Sequence, residues 1–364
     1  TRALSSAASD VYKRQVYIDR LSRIPAVMEM PYNDIVRKFI DMYAGRLRNQ
    51  VSFMLSACNF YMPIFEEALD AYGLPLELKY LPIIESALNP SAVSRAGASG
   101  LWQFMIGTGK IYGLESNSLI DERRDPIKAT WAAARYLKEM YDIYGDWNLV
   151  IAAYNCGPGT INKAIRRAGG ETDYWKIYNL LPKETRGYVP AFIAANYVMT
   201  YYCDHNICPM ETNIPASTDT VQVTQNLHFE QIAELCNVPL DEVKSLNPQY
   251  KKQIIPGTTK PCTLRLPQGA ISAFIDKQDT IYAHRADELF RNRKTVAVKE
   301  ITPATRRQTS AIAGKGKLTY YKIKSGDTLS SIAEKLGVRV RDIQQWNGMS
   351  NTRISAGKQL KIYK

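Results

Sequence analysis

From Val16 to Tyr202 apolar residues return every three or four positions, and no stretch alternates apolar with polar. That period commits this part of the chain to helices, because a stripe repeating at 3.6 residues is buried against other helices. "YNDIVRKFIDMYAGRLRNQVSFMLSACNFYMPIFEEALDAYG" carries the stripe, with Asn33 or Asp34 as its cap and Gly73 as its stop. "DPIKATWAAARYLKEMYDIYG" opens on Asp125 before Pro126 and closes at Gly145. After Pro215 the texture changes to short alternating runs, "VQVTQ" and "YYKIKSG", that bracket helical pieces. The two ends of this region repeat each other at an offset of one hundred residues. Val223 matches Ile323, Ile232 and Ala233 match Ile332 and Ala333, Val238 matches Val338, Val243 matches Ile343, Asn247 matches Asn347 and Gly257 matches Gly357. Each copy reads strand, helix, helix, strand. The expected fold is mainly α, an all-helical domain followed by two small α+β (βααβ) modules.

At 364 residues, 45% hydrophobic and 23% charged, the chain has room for one sizeable core and one or two small modules. The expected divisions are a non-native leader over 1–15, an N-terminal helical segment over 16–72, a main helical domain over 73–210, the first repeat over 218–268, a helix with a basic linker over 269–317, and the second repeat over 318–364. No run approaches eighteen apolar residues, and the most apolar tract near the middle, Val189 to Tyr202, is too short to span a bilayer. Thr1 to Gln15 lacks the apolar region and cleavage site of an export signal. Its DVYKRQ reads as translated adapter sequence, so a true export signal or lipoprotein anchor is expected to have stood upstream.

The net charge of +12 is unevenly spread, since Arg291 to Lys317 holds eight Lys and Arg against Glu300 alone. That segment reads as a solvated linker, able to brush an anionic polymer or a membrane surface; no nucleic-acid partner is expected. Cys58, Cys156, Cys203, Cys208, Cys236 and Cys262 form no CxxC pair, and His205, His228 and His284 are scattered, so no metal or other cofactor is expected. Pairing of Cys203 with Cys208, or of Cys236 with Cys262, stays open beside free buried thiols.

One carboxylate stands out. "PLELKYLPIIESAL" reads as a helix from Pro75, kinked at Pro82 and stopped by Asn89-Pro90, with Glu85 in its last turns among Ile83, Ile84 and Leu88. Apolar neighbours and the negative end of a helix both raise a carboxyl pKa, as a general acid needs. Most glutamates are simply solvated, and Glu77, two turns earlier, is expected to be one of these. The following "SRAGASGLWQFM" is crowded with small residues, which fits either close approach of a bulky ligand or tight helix packing.

"ESALNPSAVSRAGASGLWQFM", "AAYNCGPG" at 152–159 and "ETRGYVPAFIAA" at 184–195 resemble, in order, the three motifs of the family-1 lytic transglycosylases, and "DERRDP", "AAARYLK" and "YGDWNL" are similar to the membrane-bound lytic murein transglycosylase D branch. The resemblance covers about residues 74–202 and implies a lysozyme-like fold of the goose type with a glycan groove. It implies Glu85 as catalytic acid and base. Ser94, Gln103, Met105, Tyr154, Asn155, Glu184 and Tyr188 are implied to hold the N-acetylated sugars, Glu184 beside Arg186 as a supporting charge or an ordinary ion pair. Cys156 stands where the family usually has Ala.

Residues 320–364 resemble a LysM domain, which implies glycan binding around Gly326, Asp327, Thr328, Leu329 and Ile354. The first repeat resembles a degenerate LysM that lacks the Gly-Asp-Thr turn, implying a spacer that docks on the catalytic domain. The implied function is a peptidoglycan lytic transglycosylase that makes 1,6-anhydromuramyl ends on glycan strands in the periplasm, with outer-membrane anchorage. A hydrolytic muramidase on the same fold and a non-catalytic wall-binding scaffold are the alternatives.

Overall fold

The computed structural model describes residues 2–212, 214–215, 217–290, 318–324, 327, 329–336, 338, 340–347, 349, 354 and 357–363. The basic linker expected over 291–317 lies outside them. Two compact units divide at Glu300 and Ile301.

In the first unit α1 (Arg2–Ser22), α2 (Asp34–Ala44) and α3 (Arg48–Ala71) come first. Asn33 is the cap of α2, its side-chain oxygen accepting from the amides of Ile35 and Val36. The apolar pattern that runs unbroken over 33–73 in sequence is interrupted at Gly45–Leu47, where Gly45 N–H returns to the Asp41 carbonyl. α1 begins inside the stretch 1–15 expected to be a non-native leader, and beyond that stretch its Tyr17 and Leu21 enter the core.

The expected single helix over 75–88 is two pieces, a 3-10 turn at Leu76–Tyr80 and then α4 (Leu81–Ser86). Pro82 falls in the first turn of α4, where its missing N–H leaves nothing unpaired, so the chain restarts at this point instead of kinking. Glu77 is not solvated: it is buried, and its carboxylate accepts the Met28 amide at 2.8 Å. That bond ties the 3-10 turn to a distant loop and gives the buried carboxyl a partner.

α5 (Ile106–Ile111), α6 (Pro126–Tyr144), α7 (Trp147–Cys156), α8 (Pro158–Arg167), α9 (Tyr174–Ile177), α10 (Lys183–Arg186) and α11 (Tyr188–Thr200) follow. α6 starts and stops where the sequence marks it, with Asp125 capping the amides of Ile127 and Lys128, and Gly145 left-handed. α11 is apolar all round and buried nearly throughout, which identifies it as the central helix. Around it and α7 pack Val36, Ile40, Phe65, Leu69 and Trp102 from the other elements.

The first repeat supplies β1 (Thr218–Val223), β2 (Asn226–His228), α12 (Phe229–Cys236), α13 (Leu240–Leu246), β3 (Ile254–Pro256) and β4 (Cys262–Pro267). β1 pairs antiparallel with β4, Thr218 opposite Pro267, and β2 pairs with β3. α14 (Gln268–Asp276), α15 (Gln278–Ala283) and α16 (Ala286–Leu289) follow. The second unit holds β5 (Leu318–Lys322), α17 (Leu329–Leu336), α18 (Val340–Trp346) and β6 (Gln359–Tyr363), with Leu318 opposite Tyr363.

Both repeats use one asparagine as a bracket. The Asn247 side chain donates to the carbonyls of Val243 and Arg265 and accepts the Arg265 amide. Asn347, one hundred residues on, does the same with Ile343 and Lys361. The end of the second helix is thereby fixed to the last strand. All six cysteines are free, so neither pairing left open by the sequence is formed.

Asn247 is 1% exposed and makes three bonds, so Asn247→Ala strands buried backbone groups and should cost about 2–4 kcal/mol. Urea denaturation of the variant checks this as a lowered midpoint at unchanged slope.

Candidate active site

α4 ends in two left-handed residues, Ala87 and Leu88, which turn the chain sharply and leave Glu85 at the edge of a cleft. Ser86 Oγ lies 3.0 Å from the Pro82 carbonyl and 2.9 Å from that of Leu101, fastening the end of α4 to the loop that follows. That loop is pinned by bridges of Ser99 to Val93 and to Phe104.

Its small residues divide into two groups. Ala96 and Ala98 line the cleft. Gly100 is small for a different reason: at φ +88 a Cβ would lie 1.7 Å from the Arg123 carbonyl, so tight packing decides that position.

The cleft has a volume of ≈ 570 Å³ and is lined by Glu85, Ser94, Gln103, Met105, Tyr154, Asn155, Glu184 and Tyr188 together. All eight sequence candidates of the catalytic region therefore meet at one place. Ile84, Phe104, Thr108 and Tyr136 line it as well and were not singled out in the sequence. Tyr136, on α6, stood within the motif AAARYLK but was given no role in the sequence. A second depression of ≈ 410 Å³ also borders Glu85, lined further by Tyr43, Leu47, Gln50 and Met54 of α2, α3 and the turn between them. A further cavity of ≈ 1060 Å³ between α3, residues 88–91 and α13 contains none of these side chains.

Several candidates are held by the protein itself. Tyr188, at the start of α11, donates its hydroxyl to Glu85 Oε1. Tyr154 donates to the Trp102 carbonyl at 2.7 Å, and its ring centroid lies 5.5 Å from that of Tyr136. Asn155 Oδ1 accepts from Thr185 Oγ1 at 2.9 Å. Ser94 Oγ accepts the Ala98 amide, and the Gln103 side-chain amide reaches the carbonyls of Gly100 and Ala92. Met105 is left 45% exposed as an apolar contact. Arg186 donates to the Leu181 and Asn179 carbonyls, and Glu184 lines the cleft.

The Glu85 carboxyl is raised to about 7, first by burial and then by the Glu184 charge, with the Tyr188 bond opposing both. A helix dipole contributes little, because α4 is only six residues long. Tyr154 and Tyr188 are held well above the usual phenol range, chiefly by burial and next by the Glu85 charge. The site therefore offers one carboxyl able to hold a proton at neutral pH beside hydroxyls that stay protonated.

In the second unit Asp327 Oδ2 accepts from the Tyr321 hydroxyl and the Lys324 amide, closing a turn. Leu329 is buried in the module core and Ile354 packs against it, while Gly326 and Thr328 lie outside the described residues.

Residues 62–177 match the Transglycosylase SLT domain, residues 217–283 the LysM-like domain of lytic transglycosylase MltD, and residues 321–362 the LysM domain. The chain is 30% identical over 341 residues to the membrane-bound lytic murein transglycosylase D of Escherichia coli K12, covering 92% of this chain and 70% of that one. It is 33% identical over 124 residues to the soluble lytic murein transglycosylase of the same strain, covering 32% of this chain and 19% of that one. Among solved structures, the 70 kDa soluble lytic transglycosylase of Escherichia coli is similar at 29% identity and TM-score 0.35, covering 39% of this chain. The chain spans 24% of the length of that structure.

Glu85 ionises near 4.5 when unfolded and near 7 when folded, so between those values the unfolded state has lost a proton that the folded state keeps. Stability present below the lower value is lost as pH rises through the upper one, by at most about 3 kcal/mol. Glu85→Gln, which keeps the acceptor for Tyr188, should melt higher than the parent at about pH 8 and equally at about pH 4. Scanning calorimetry at the two values reads the difference.

Proposed function

The chain belongs to the membrane-bound lytic murein transglycosylase D family, and from that premise we propose that it cleaves the β-1,4 bond between N-acetylmuramic acid and N-acetylglucosamine in peptidoglycan, leaving 1,6-anhydromuramyl ends. Glu85, protonated at rest, gives its proton to the glycosidic oxygen as the bond from the muramic C1 breaks. The acetamido oxygen of the same sugar stabilises the positive C1. The ionised Glu85 then takes the proton of the 6-hydroxyl while O6 bonds to C1, so the glutamate ends as it began and no water is consumed.

The observation that carries this reading is the Glu85 carboxyl, raised to about 7 and lining two depressions that share Ile84, Ser94 and Gln103. An acid that must become a base within one turnover works best when its pKa lies near the operating pH. Tyr188 occupies Oε1 and so directs the proton to Oε2. Tyr154, Asn155, Ser94 and Gln103 spend polar atoms on the loops beneath, which gives them the role of fixing the cleft wall; Met105 supplies an exposed apolar contact for a sugar ring. Glu184 we assign as the charge that keeps Glu85 protonated. A scaffold with no catalysis would have no use for a carboxyl kept dry at the cost of stability.

We assign the catalytic domain to residues 73–210, and glycan binding to the second repeat, which would hold strands near the cleft and raise their local concentration. The setting is the periplasm, with membrane anchorage as the family name states. No helix among the described residues is long and apolar enough to cross a membrane.

Digestion of purified sacculi, analysed by mass spectrometry, tests the reaction: anhydro products weigh one water less than hydrolysed ones, and hydrolysed ends as the main product would make the chain a muramidase. Glu85→Gln should lower muropeptide release about 10²–10⁴-fold. Glu184→Gln should retain most activity and move the alkaline limb of the pH profile to lower pH, because removing a neighbouring negative charge lets Glu85 ionise earlier. An unmoved limb would remove Glu184 from that role.

A further inference from the structure

The first repeat presents two different edges. On one, residues 226–228 and 254–256 are zipped together as β2 and β3, and a Cβ at Gly257 would lie 2.4 Å from the Gln225 carbonyl. These positions correspond, at the hundred-residue offset, to those assigned to glycan in the second repeat, and here backbone fills the space between them. Gln231 donates to the Tyr282 and His284 carbonyls, fastening α15 onto the same module.

The other edge lies on the catalytic domain. The amide of Asp121 donates to the Gln249 carbonyl at 2.9 Å and the amide of Lys251 to the Leu119 carbonyl at 2.8 Å, on either side of an Ile120–Tyr250 bridge. Leu119 and Ile120 are part of the hydrophobic core of the repeat. Lys251 Nζ donates to the Asn117 carbonyl at 2.7 Å, and Lys260 pairs with Glu115 and with Glu122. The segment 117–121 is thus a strand-like extension of the repeat.

Two residues further on is Arg123, 5% exposed beside Asp121 at 2%. Its Nε and Nη2 take both Asp121 oxygens at 2.9 and 2.8 Å. Its Nη1 donates to the carbonyls of Gly97 and Phe104 at 2.8 and 2.9 Å, the two ends of the loop that carries Ala98 and Gln103 along the cleft. Arg124 adds a bond to Ser99 Oγ, and the Arg123 carbonyl occupies the space left by Gly100.

We propose that the first repeat is a buttress of the catalytic cleft, acting through Arg123 as a positioning residue that sets the height of the 97–104 floor beneath the substrate. The repeat fixes the Asp121 backbone, the Asp121 carboxylate orients the guanidinium, and the guanidinium holds both ends of the floor. Arg alone among cationic side chains offers the planar fork this needs. The proposal goes beyond the assigned reaction, in which neither Arg123 nor the repeat takes part.

Steady-state kinetics of the full chain on soluble glycan strands tests it. Arg123→Lys keeps the charge but cannot hold Asp121 and two carbonyls together, and should raise KM about tenfold while kcat falls less than about threefold, since a misplaced wall chiefly weakens binding. The alkaline limb of the pH profile should stay in place, because Glu85 is not touched. The double variant Lys251→Ala with Lys260→Ala leaves Arg123 intact and loosens only the ties to the repeat; it should raise KM about threefold in the same direction and serves where Arg123→Lys does not fold. A lower melting temperature with KM unchanged in the folded variants would make Arg123 merely structural and overturn the proposal. So would a moved alkaline limb, which would mean that Arg123 acts on Glu85.

Discussion

Everything in the first unit follows from withholding water from one carboxyl while leaving it reachable. Glu85 is kept dry by the end of a short helix lying against α11, the central apolar helix. α11 begins at Tyr188, so the element that excludes water also delivers the hydroxyl that meets Oε1. The two effects oppose each other: burial disfavours the charge, and the donated bond favours it. Their balance leaves the carboxyl near neutrality, which is where the proposed roles of acid and then base both need it. A site built for tight binding alone would have no reason to strike it.

That balance limits what the neighbouring polar groups can do. The cleft is rich in hydroxyls and amides, yet many are committed to the protein: Tyr154 to Trp102, Asn155 to Thr185, Ser94 to Ala98. Such bonds fix rotamers, so the surface offered to a ligand is preorganised and loses little entropy when it binds. The Trp102 indole is itself tied to Thr130 of α6, which carries the fixation from the cleft wall into the core. Tyr43 and Gln50 bring the helices before residue 73 into a depression beside Glu85.

What the sequence made legible was local. Asn33, Asp125 and Gly145 act on amides and dihedrals within four residues of themselves, and short-range chemistry predicts those positions. Glu85 stood out because its apolar neighbours are adjacent in the chain. Glu77 was misread because its partner, the Met28 amide, is forty-nine residues away and leaves no mark in the surrounding helix pattern. Arg123 stood inside the motif DERRDP, but its role there was not legible, because besides Asp121 it holds backbone carbonyls, which every residue possesses. The break at Tyr80–Leu81 was hidden because the apolar spacing continues across it, and period alone cannot distinguish one helix from two joined end to end.

The two repeats separate what folding requires from what a site requires. Asn247 and Asn347 make the same three bonds, because fixing the second helix to the last strand is needed whatever the module does. The edges differ: the turn after β5 keeps Asp327 as a local acceptor, whereas the turn after β1 leads into a strand that closes on β3. A repeat whose edge is closed still has a core of its own, and Leu119 and Ile120 of the catalytic domain complete it. Sharing a core ties two elements far more rigidly than a chain of surface contacts, since apolar side chains buried between them cannot slide without opening a cavity. A closed edge and a rigid joint are thus compatible in one small module, because they fall on different sides of a bracket that neither disturbs.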